Sequence, residues 1–361
     1  MIQPDEGCTI QYSSGTTGFP KAVLQTHRAL VNSAYFFQKW LHADIPDPKM
    51  VLPTQLCHAS GTLAGIIGTL VNGVTLILPA PQFDALKTLE AINQERANST
   101  FGTPSLYVDL MEVIKRENVK LDSLVVAVYG GAPCTEQMAL KIKNTLGVKR
   151  LQPVFGMTET AVNFVGHPED SVEKMTSTVG RLNYHLEAKV IDKYDKLVPM
   201  GQPGQLCIRG YSLLKEYWGD EEKTRMFKDA DGWARTGDVC TMEDGGYVKI
   251  IGRIKEAIIR IGDKIYPAEL EEFFQAHPDI AEAQVFGVPD SKVGEEICVY
   301  IKTREGSKLN EQDIRNFCND KLPAYRIPRY IRFLDEFPLG SMGKVLKSQL
   351  LADLMKQINT N

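Results

Sequence analysis

Tyr12-Ser13-Ser14-Gly15-Thr16-Thr17-Gly18-Phe19-Pro20-Lys21 is the stretch on which the reading of this chain turns. It follows a short β-prone run, Cys8-Thr9-Ile10-Gln11-Tyr12, and precedes a second, Ala22-Val23-Leu24-Gln25-Thr26. Glycine lets the backbone take positive φ and come close to a ligand. Successive N–H groups in such a loop form an anion-binding nest. The Ser and Thr hydroxyls add donors, and Lys21 adds a mobile point charge suited to phosphate. The loop reads as a polyphosphate clamp, with an ordinary Ser/Thr/Gly turn as the alternative. It is not a Walker loop, because Phe19-Pro20 separates Gly18 from Lys21 and Ala22 follows the lysine. A strand on either side means the clamp grips without a helix dipole.

Outward from this loop, apolar runs at 51–52, 74–78, 99–102, 124–129 and 151–155 alternate with helical patterns at 29–41, 85–93, 105–115 and 135–146. Such alternation predicts a layered α/β sheet. From about residue 179 the texture turns β-rich, predicting a small β-subdomain over 179–252. Pro267 opens a helix with acidic residues in its first turns, strands follow at 283–288 and 297–302, and Asn310 caps another helix. The expected organisation is a large domain over 1–252, a hinge at 253–256 and an α+β domain over 257–361.

At 361 residues the chain is long enough for two or three domains of ~150 residues each. Its 43% hydrophobic and 24% charged content is that of a globular protein, and 41 basic against 45 acidic residues, net −4, offers no footprint for nucleic acid. Seven scattered cysteines without a CxxC pair fit structural thiols in a reducing compartment. Met1-Ile2-Gln3-Pro4-Asp5-Glu6 reads as neither signal nor transit peptide. The uncharged stretch 50–83 is broken by Pro53, His58, Asn72-Gly73 and Pro79. It therefore predicts a buried helix over 61–70, a turn and a strand rather than a transmembrane segment.

Several further segments carry chemistry. Thr158-Glu159 ends a predicted buried strand, placing a hydroxyl and a carboxylate where phosphate and metal can be held. Thr158 as the N-cap of a following helix is the alternative. Gly130-Gly131-Ala132-Pro133 is a strand-to-helix turn against which a flat base can lie. Asp238, in Gly232-Trp233-Ala234-Arg235-Thr236-Gly237-Asp238, can accept from two ribose hydroxyls. His58 suits a capping role as well as any other.

Taken together, in this order and over almost all 361 residues, these segments resemble the acyl-adenylate-forming (AMP-binding) enzymes, and most of all the medium-chain acyl-CoA synthetases of mitochondrial type. The resemblance implies that Ser13, Ser14, Gly15, Thr16, Thr17, Gly18, Phe19, Pro20 and Lys21 hold the ATP phosphates. It places Gly131, Ala132, Pro133 and Phe155 around adenine; Phe155 stands where the family more often has Tyr, keeping the ring and losing the hydroxyl. Asp238 becomes the ribose ligand, Arg253 reaches ribose or phosphate, Glu159 binds Mg²⁺ and Thr158 a phosphate oxygen. Gly252-Arg253-Ile254-Lys255-Glu256 is similar to the inter-domain hinge, with Lys255 at its pivot. Gly262, in a loop where Asp263-Lys264 replaces the usual Glu-Asn, lines the CoA tunnel, its missing Cβ leaving room for the pantetheine chain. Lys344, in Pro338-Leu339-Gly340-Ser341-Met342-Gly343-Lys344, bridges the substrate carboxylate and the α-phosphate.

The implied activity is ATP-dependent ligation of a medium-chain fatty acid to CoA, with ATP, Mg²⁺ and CoA required and a mitochondrial or cytoplasmic setting. A nucleotide- or acyl-binding remnant and an adenylating enzyme with another acceptor are the alternative functions. Family members carry a substantial segment ahead of the phosphate loop, so open strand edges and exposed apolar surface are expected near the start of this chain.

Overall fold

The computed structural model describes residues 1–13, 20–132, 134–319, 321–339 and 345–359, with the backbone alone described at 359. The described chain forms two compact units, one of residues 1–236 and 240–250, the other of residues 237–239 and 251–361.

The first unit is built on a seven-stranded sheet in the order Thr75–Ile77, Lys49–Val51, Ser99–Gly102, Val126–Gly130, Arg150–Met157, Ala161–Val165, Arg181–Leu182. The first five strands run parallel, and the last two pairings are antiparallel. Ser99–Gly102 and Val126–Gly130 are buried along their whole length, which is why they read as continuous rather than alternating patterns. The crossover helices Ala85–Gln94, Pro104–Glu117 and Glu136–Leu146 are each started by a side chain, Asp84, Thr103 and Thr135, that accepts a backbone N–H of the first turn. Their apolar faces, through Leu89, Ile92, Leu110 and Ile142, close over Ala127 and Leu151 of the sheet. Each such burial contributes about 1.5–3 kcal/mol.

The segment read as a buried helix over 61–70 is instead a π-helical turn, Gly61–Ile67, continuing as the helix Gly68–Asn72. Only one face is buried. Leu63 and Ala64 face the core, while Leu70 is 78% exposed, because a helix laid on one layer has a single face to bury. Among the described residues no helix is long and apolar enough to cross a membrane. All seven cysteines are free thiols.

Two smaller sheets lie outside the seven-stranded one. Gly7–Ser13, Lys21–Thr26 and Glu216–Tyr217 form an antiparallel three-stranded sheet with Lys21–Thr26 in the centre. Gly7–Ser13 lies at its edge, with Ile10 and Tyr12 exposed. Leu186–Ile191, Gly204–Gly210, Ala234–Met242 and Val248–Arg253 form the four-stranded sheet.

In the second unit a five-stranded sheet runs Asp263–Ile265, Ile258–Arg260, Gly294–Thr303, Ile280–Asp290, and Tyr330–Phe333 lies parallel to Gly294–Thr303. Pro267 opens the helix Pro267–Gln275, and Asn310 caps Glu311–Cys318 through a reciprocal bond with Asp313. Leu270, Phe274 and Ile314 pack on Val285 and Val299 of the sheet.

Candidate active site

The two strands that flank the phosphate-loop sequence pair directly, and Ser13 sits opposite Lys21. Ser14, Gly15, Thr16, Thr17, Gly18 and Phe19 lie outside the described residues, so only the two ends of that loop are placed. Pro20 is exposed next to Lys21.

Glu159 meets the first of these ends. The residue is 4% exposed, and its Oε1 accepts from Ser13 Oγ at 3.0 Å and from the Tyr217 hydroxyl at 3.0 Å. Lys21 Nζ stands 5.0 Å from the centre of the Tyr217 ring. Burial, followed by the neighbouring Glu159 charge, holds the Tyr217 phenol above its usual range, so it stays protonated and donates.

Thr158 does not cap a helix. A tight turn carries the chain from Arg150–Met157 into the antiparallel strand Ala161–Val165, so no helix begins there. Gln25 Nε2 donates to the Thr158 carbonyl at 2.6 Å, and Leu214 N to the Glu159 carbonyl at 2.7 Å. Thr160 Oγ1 donates to Asn163 Oδ1 at 2.5 Å, and Asn163 Nδ2 returns a bond to the Thr160 carbonyl at 2.8 Å. The backbone around the carboxylate is thus held from several sides, with Ala161 in the left-handed region at φ 53°.

The remaining residues of this unit lie as follows. Phe155 is half-buried, edge-on to Phe164 with ring centres 6.2 Å apart. Gly131, at φ 79°, and Ala132 are exposed just after the strand Val126–Gly130; Pro133 lies outside the described residues. His58 Nδ1 is 2.6 Å from Ser60 Oγ and accepts the Ser60 N–H at 3.2 Å, the geometry of a local cap.

Asp238 and Arg253 belong to the second unit. Asp238 is 2% exposed, and Arg253 Nε donates to its Oδ1 at 3.1 Å. Lys255 is exposed in the single turn Ile254–Glu256. It helps line a cleft of about 220 Å³ with Pro267, Phe286, Glu295 and Lys347. Lys347 Nζ is already held by Glu271 Oε1 at 2.5 Å and the Val285 carbonyl at 3.0 Å. Gly262 is exposed at φ 86°, and a Cβ there would meet nothing within 4 Å. Within this chain it is therefore the turn, and not crowding, that calls for glycine. Gly340, Ser341, Met342, Gly343 and Lys344 lie outside the described residues.

The donor set around Glu159 suits a hard cation. Both hydroxyls load Oε1, and among the described residues no hydrogen bond falls on Oε2. A single carboxylate oxygen fits Mg²⁺, which is usually bound by one or two carboxylates plus substrate phosphates. Among the described residues no group of three or more His, Cys, Asp or Glu could hold a metal on protein ligands alone.

Tyr217 was not legible as part of this site. It belongs to a two-residue strand that joins Lys21–Thr26 from almost two hundred residues away in sequence, a pairing that no local periodicity announces.

A hairpin flanking the Ser/Thr/Gly sequence, a buried carboxylate after a strand of the seven-stranded sheet and an α+β unit are what this chain brings to the comparison with known families. Residues 1–218 match the AMP-binding enzyme family and residues 269–344 its C-terminal domain; the chain belongs to this family. The chain is 40% identical over 355 residues to the medium-chain acyl-CoA ligase ACSF2, mitochondrial, of Bos taurus, an alignment covering 97% of this chain and 58% of that relative. It is similar in structure to ATP-bound MatB from Rhodopseudomonas palustris (TM-score 0.88, 26% identity, 97% of this chain and 69% of that one). It is also similar to O-succinylbenzoate Coenzyme A synthetase (MenE) from Bacillus subtilis in complex with AMP (TM-score 0.83, 27% identity, 97% and 70%). The layered α/β fold with a further α+β unit, expected from the sequence, is the fold of these neighbours.

Proposed function

We propose that this chain activates a medium-chain fatty acid with ATP and passes the acyl group to CoA. The reading is carried by one observation: Ser13, Lys21, Glu159 and Tyr217 converge where the phosphate-loop hairpin closes. The 40% identity to a medium-chain acyl-CoA ligase over 97% of the chain supports the substrate class, and that relative's name supports a mitochondrial setting over a cytoplasmic one.

In the first half-reaction a carboxylate oxygen of the acid attacks the α-phosphorus of ATP. The bond to the bridging oxygen breaks, and pyrophosphate leaves with the electron pair. Residues 13–21 orient the phosphates, Thr158 contacts one of their oxygens, and Lys344 brings two anions together and stabilises the charge that builds in the transition state. Mg²⁺, held by Glu159, neutralises phosphate charge when bound. Gly131, Ala132, Pro133 and Phe155 flank adenine, while Asp238 accepts from ribose hydroxyls with Arg253 beside it. In the second half-reaction the CoA thiolate attacks the acyl carbon and AMP leaves. Lys255 is the pivot between the two steps, and the Gly262 turn faces the pantetheine chain.

The test is pyrophosphate release by this chain with Mg·ATP across short, medium, long and aromatic acids, with and without CoA. Release that peaks with medium-chain acids, together with acyl-CoA formation, is the expected result. Release without acyl-CoA would replace CoA with another acceptor. ATP binding by a folded protein with no release under any acid would overturn the enzymatic reading.

A further inference from the structure

We propose that Tyr217 is a positioning residue that aims the Glu159 carboxylate at the metal and couples it to Lys21. This inference rests on the reading above, in which Glu159 serves a Mg²⁺ ion bound with ATP.

Three contacts converge on one side chain. The Tyr217 hydroxyl donates to Glu159 Oε1 at 3.0 Å, its ring face receives Lys21 Nζ at 5.0 Å from the centre, and its ring edge packs against Phe227 with centres 5.8 Å apart. The backbone is equally fixed. Tyr217 is in register with Val23 across the sheet, and its N–H donates to Thr224 Oγ1 at 2.9 Å. Tyr217 is 4% exposed, so its side chain has no free choice of rotamer.

The consequence for Glu159 is geometric. A carboxylate on a two-carbon stem can rotate its plane freely unless its oxygens are held. Two O–H donors on Oε1, from Ser13 and from Tyr217, fix that plane and leave Oε2 for a cation. The same ring offers its negative face to Lys21. One residue thereby sets the spacing between the cation proposed to grip phosphate and the anion proposed to grip the metal. Hydrogen-bond partners of metal ligands typically govern metal affinity by 10–100-fold.

Tyr217→Phe removes only the hydroxyl and keeps the ring, its packing on Phe227 and its face toward Lys21. Binding of Mn²⁺ in the presence of ATP, read by electron paramagnetic resonance, is expected to weaken about tenfold. Metal-free ATP binding, read by calorimetry, and the unfolding temperature are expected to stay the same. Glu159→Gln should weaken Mn²⁺ at least as much, and the double variant should be no worse than Glu159→Gln alone. Ser13→Ala removes the other donor without touching the Phe227 packing and must also weaken Mn²⁺. Wild-type Mn²⁺ affinity in Tyr217→Phe, with loss in Glu159→Gln, overturns the role of Tyr217 and leaves the function standing. Wild-type affinity in Glu159→Gln overturns the metal role of Glu159 itself, and this inference with it.

Discussion

Two of the turns that hold a non-glycine residue in the left-handed region do so at almost the same angle and are built in opposite ways. Ala161, at φ 53°, follows Glu159 and is 7% exposed; Ile261, at φ 54°, precedes Gly262 and is 67% exposed. Around Ala161 the polar groups form a closed network: Thr160 and Asn163 bond each other, Gln25 holds the Thr158 carbonyl and Leu214 the Glu159 carbonyl. Around Ile261 there is a two-residue hairpin between Ile258–Arg260 and Asp263–Ile265, with one further bond from Ile261 N to the Val293 carbonyl at 2.9 Å. Strain inside a network is over-determined and holds a carboxylate still. Strain on the exposed turn is held by the strand register and the bond to Val293. The first arrangement suits a group that must be aimed, the second a surface that must present itself.

The sharpest way to break this contrast is at Gly156, opposite the Ala161 corner. A Cβ there would lie 1.9 Å from the Ala161 carbonyl oxygen and 3.1 Å from the Val162 Cα, both backbone atoms that cannot move aside as a side chain would. Gly156→Ala should cost about 3 kcal/mol or more, measured by urea unfolding. A loss under about 1 kcal/mol would mean the corner yields, and that the network around Glu159 is looser than its bonds suggest.

The two turns were unequally legible in sequence. Strands at 99–102 and 297–302 and the Thr135, Asn310 and Pro267 helix starts could be read because apolar runs, caps and proline act within a few residues. The Glu159 corner could be read only as far as the strand before it. Thr158 followed by polar residues fits a helix start as well as a turn, and what decides between them is the pairing with Ala161–Val165 and the bonds from Gln25 and Leu214, which arrive from distant parts of the chain. Tyr217 was missed for the same reason. Gly262 was singled out for the space its missing Cβ leaves, and its φ of 86° is a further reason for glycine that the sequence did not show. The one-sided burial of 61–72 needed the position of its neighbouring layer, which no pattern of uncharged residues supplies.

The same contrast between units extends to protons. His42 in the first unit is 8% exposed, with Nε2 2.8 Å from Ser99 Oγ; burial first, then the Arg150 charge, brings it down to about 4. Its folded value lies below its unfolded one. As pH falls through 6.5 the unfolded chain takes up a proton that the folded chain refuses, and stability is lost down to about pH 4. The full loss is about 3 kcal/mol. Glu282 in the second unit goes the other way. Burial raises its carboxyl above 4.5, so acidification relieves a cost of folding there instead of adding one. Unfolding measured against pH should show a fall between pH 6.5 and 4 that flattens in His42→Gln. In Glu282→Gln that fall should steepen just above pH 4.5, where the raised carboxyl takes up its proton in the folded chain. Identical curves for wild type and His42→Gln would show that the buried imidazole is not what ties the first unit to neutral pH.

The smallest expected effect separates scaffold from function at the exposed turn. With Ile261 and Gly262 both at positive φ, the hairpin loop is the kind that favours Asn-Gly, because asparagine tolerates the left-handed region and a β-branched residue does not. Isoleucine there costs about 1–2 kcal/mol. Ile261→Asn should therefore raise stability by about 1 kcal/mol, seen as a higher denaturation midpoint. An unchanged midpoint would mean the turn carries no strain and the parallel with Ala161 fails. If stability rises while acyl transfer to CoA slows and pyrophosphate release holds, the isoleucine is kept for the apolar surface it shows to the acceptor. If stability rises and both half-reactions hold, the strain at Ile261 serves neither step, and only the buried corner beside Glu159 couples backbone strain to chemistry.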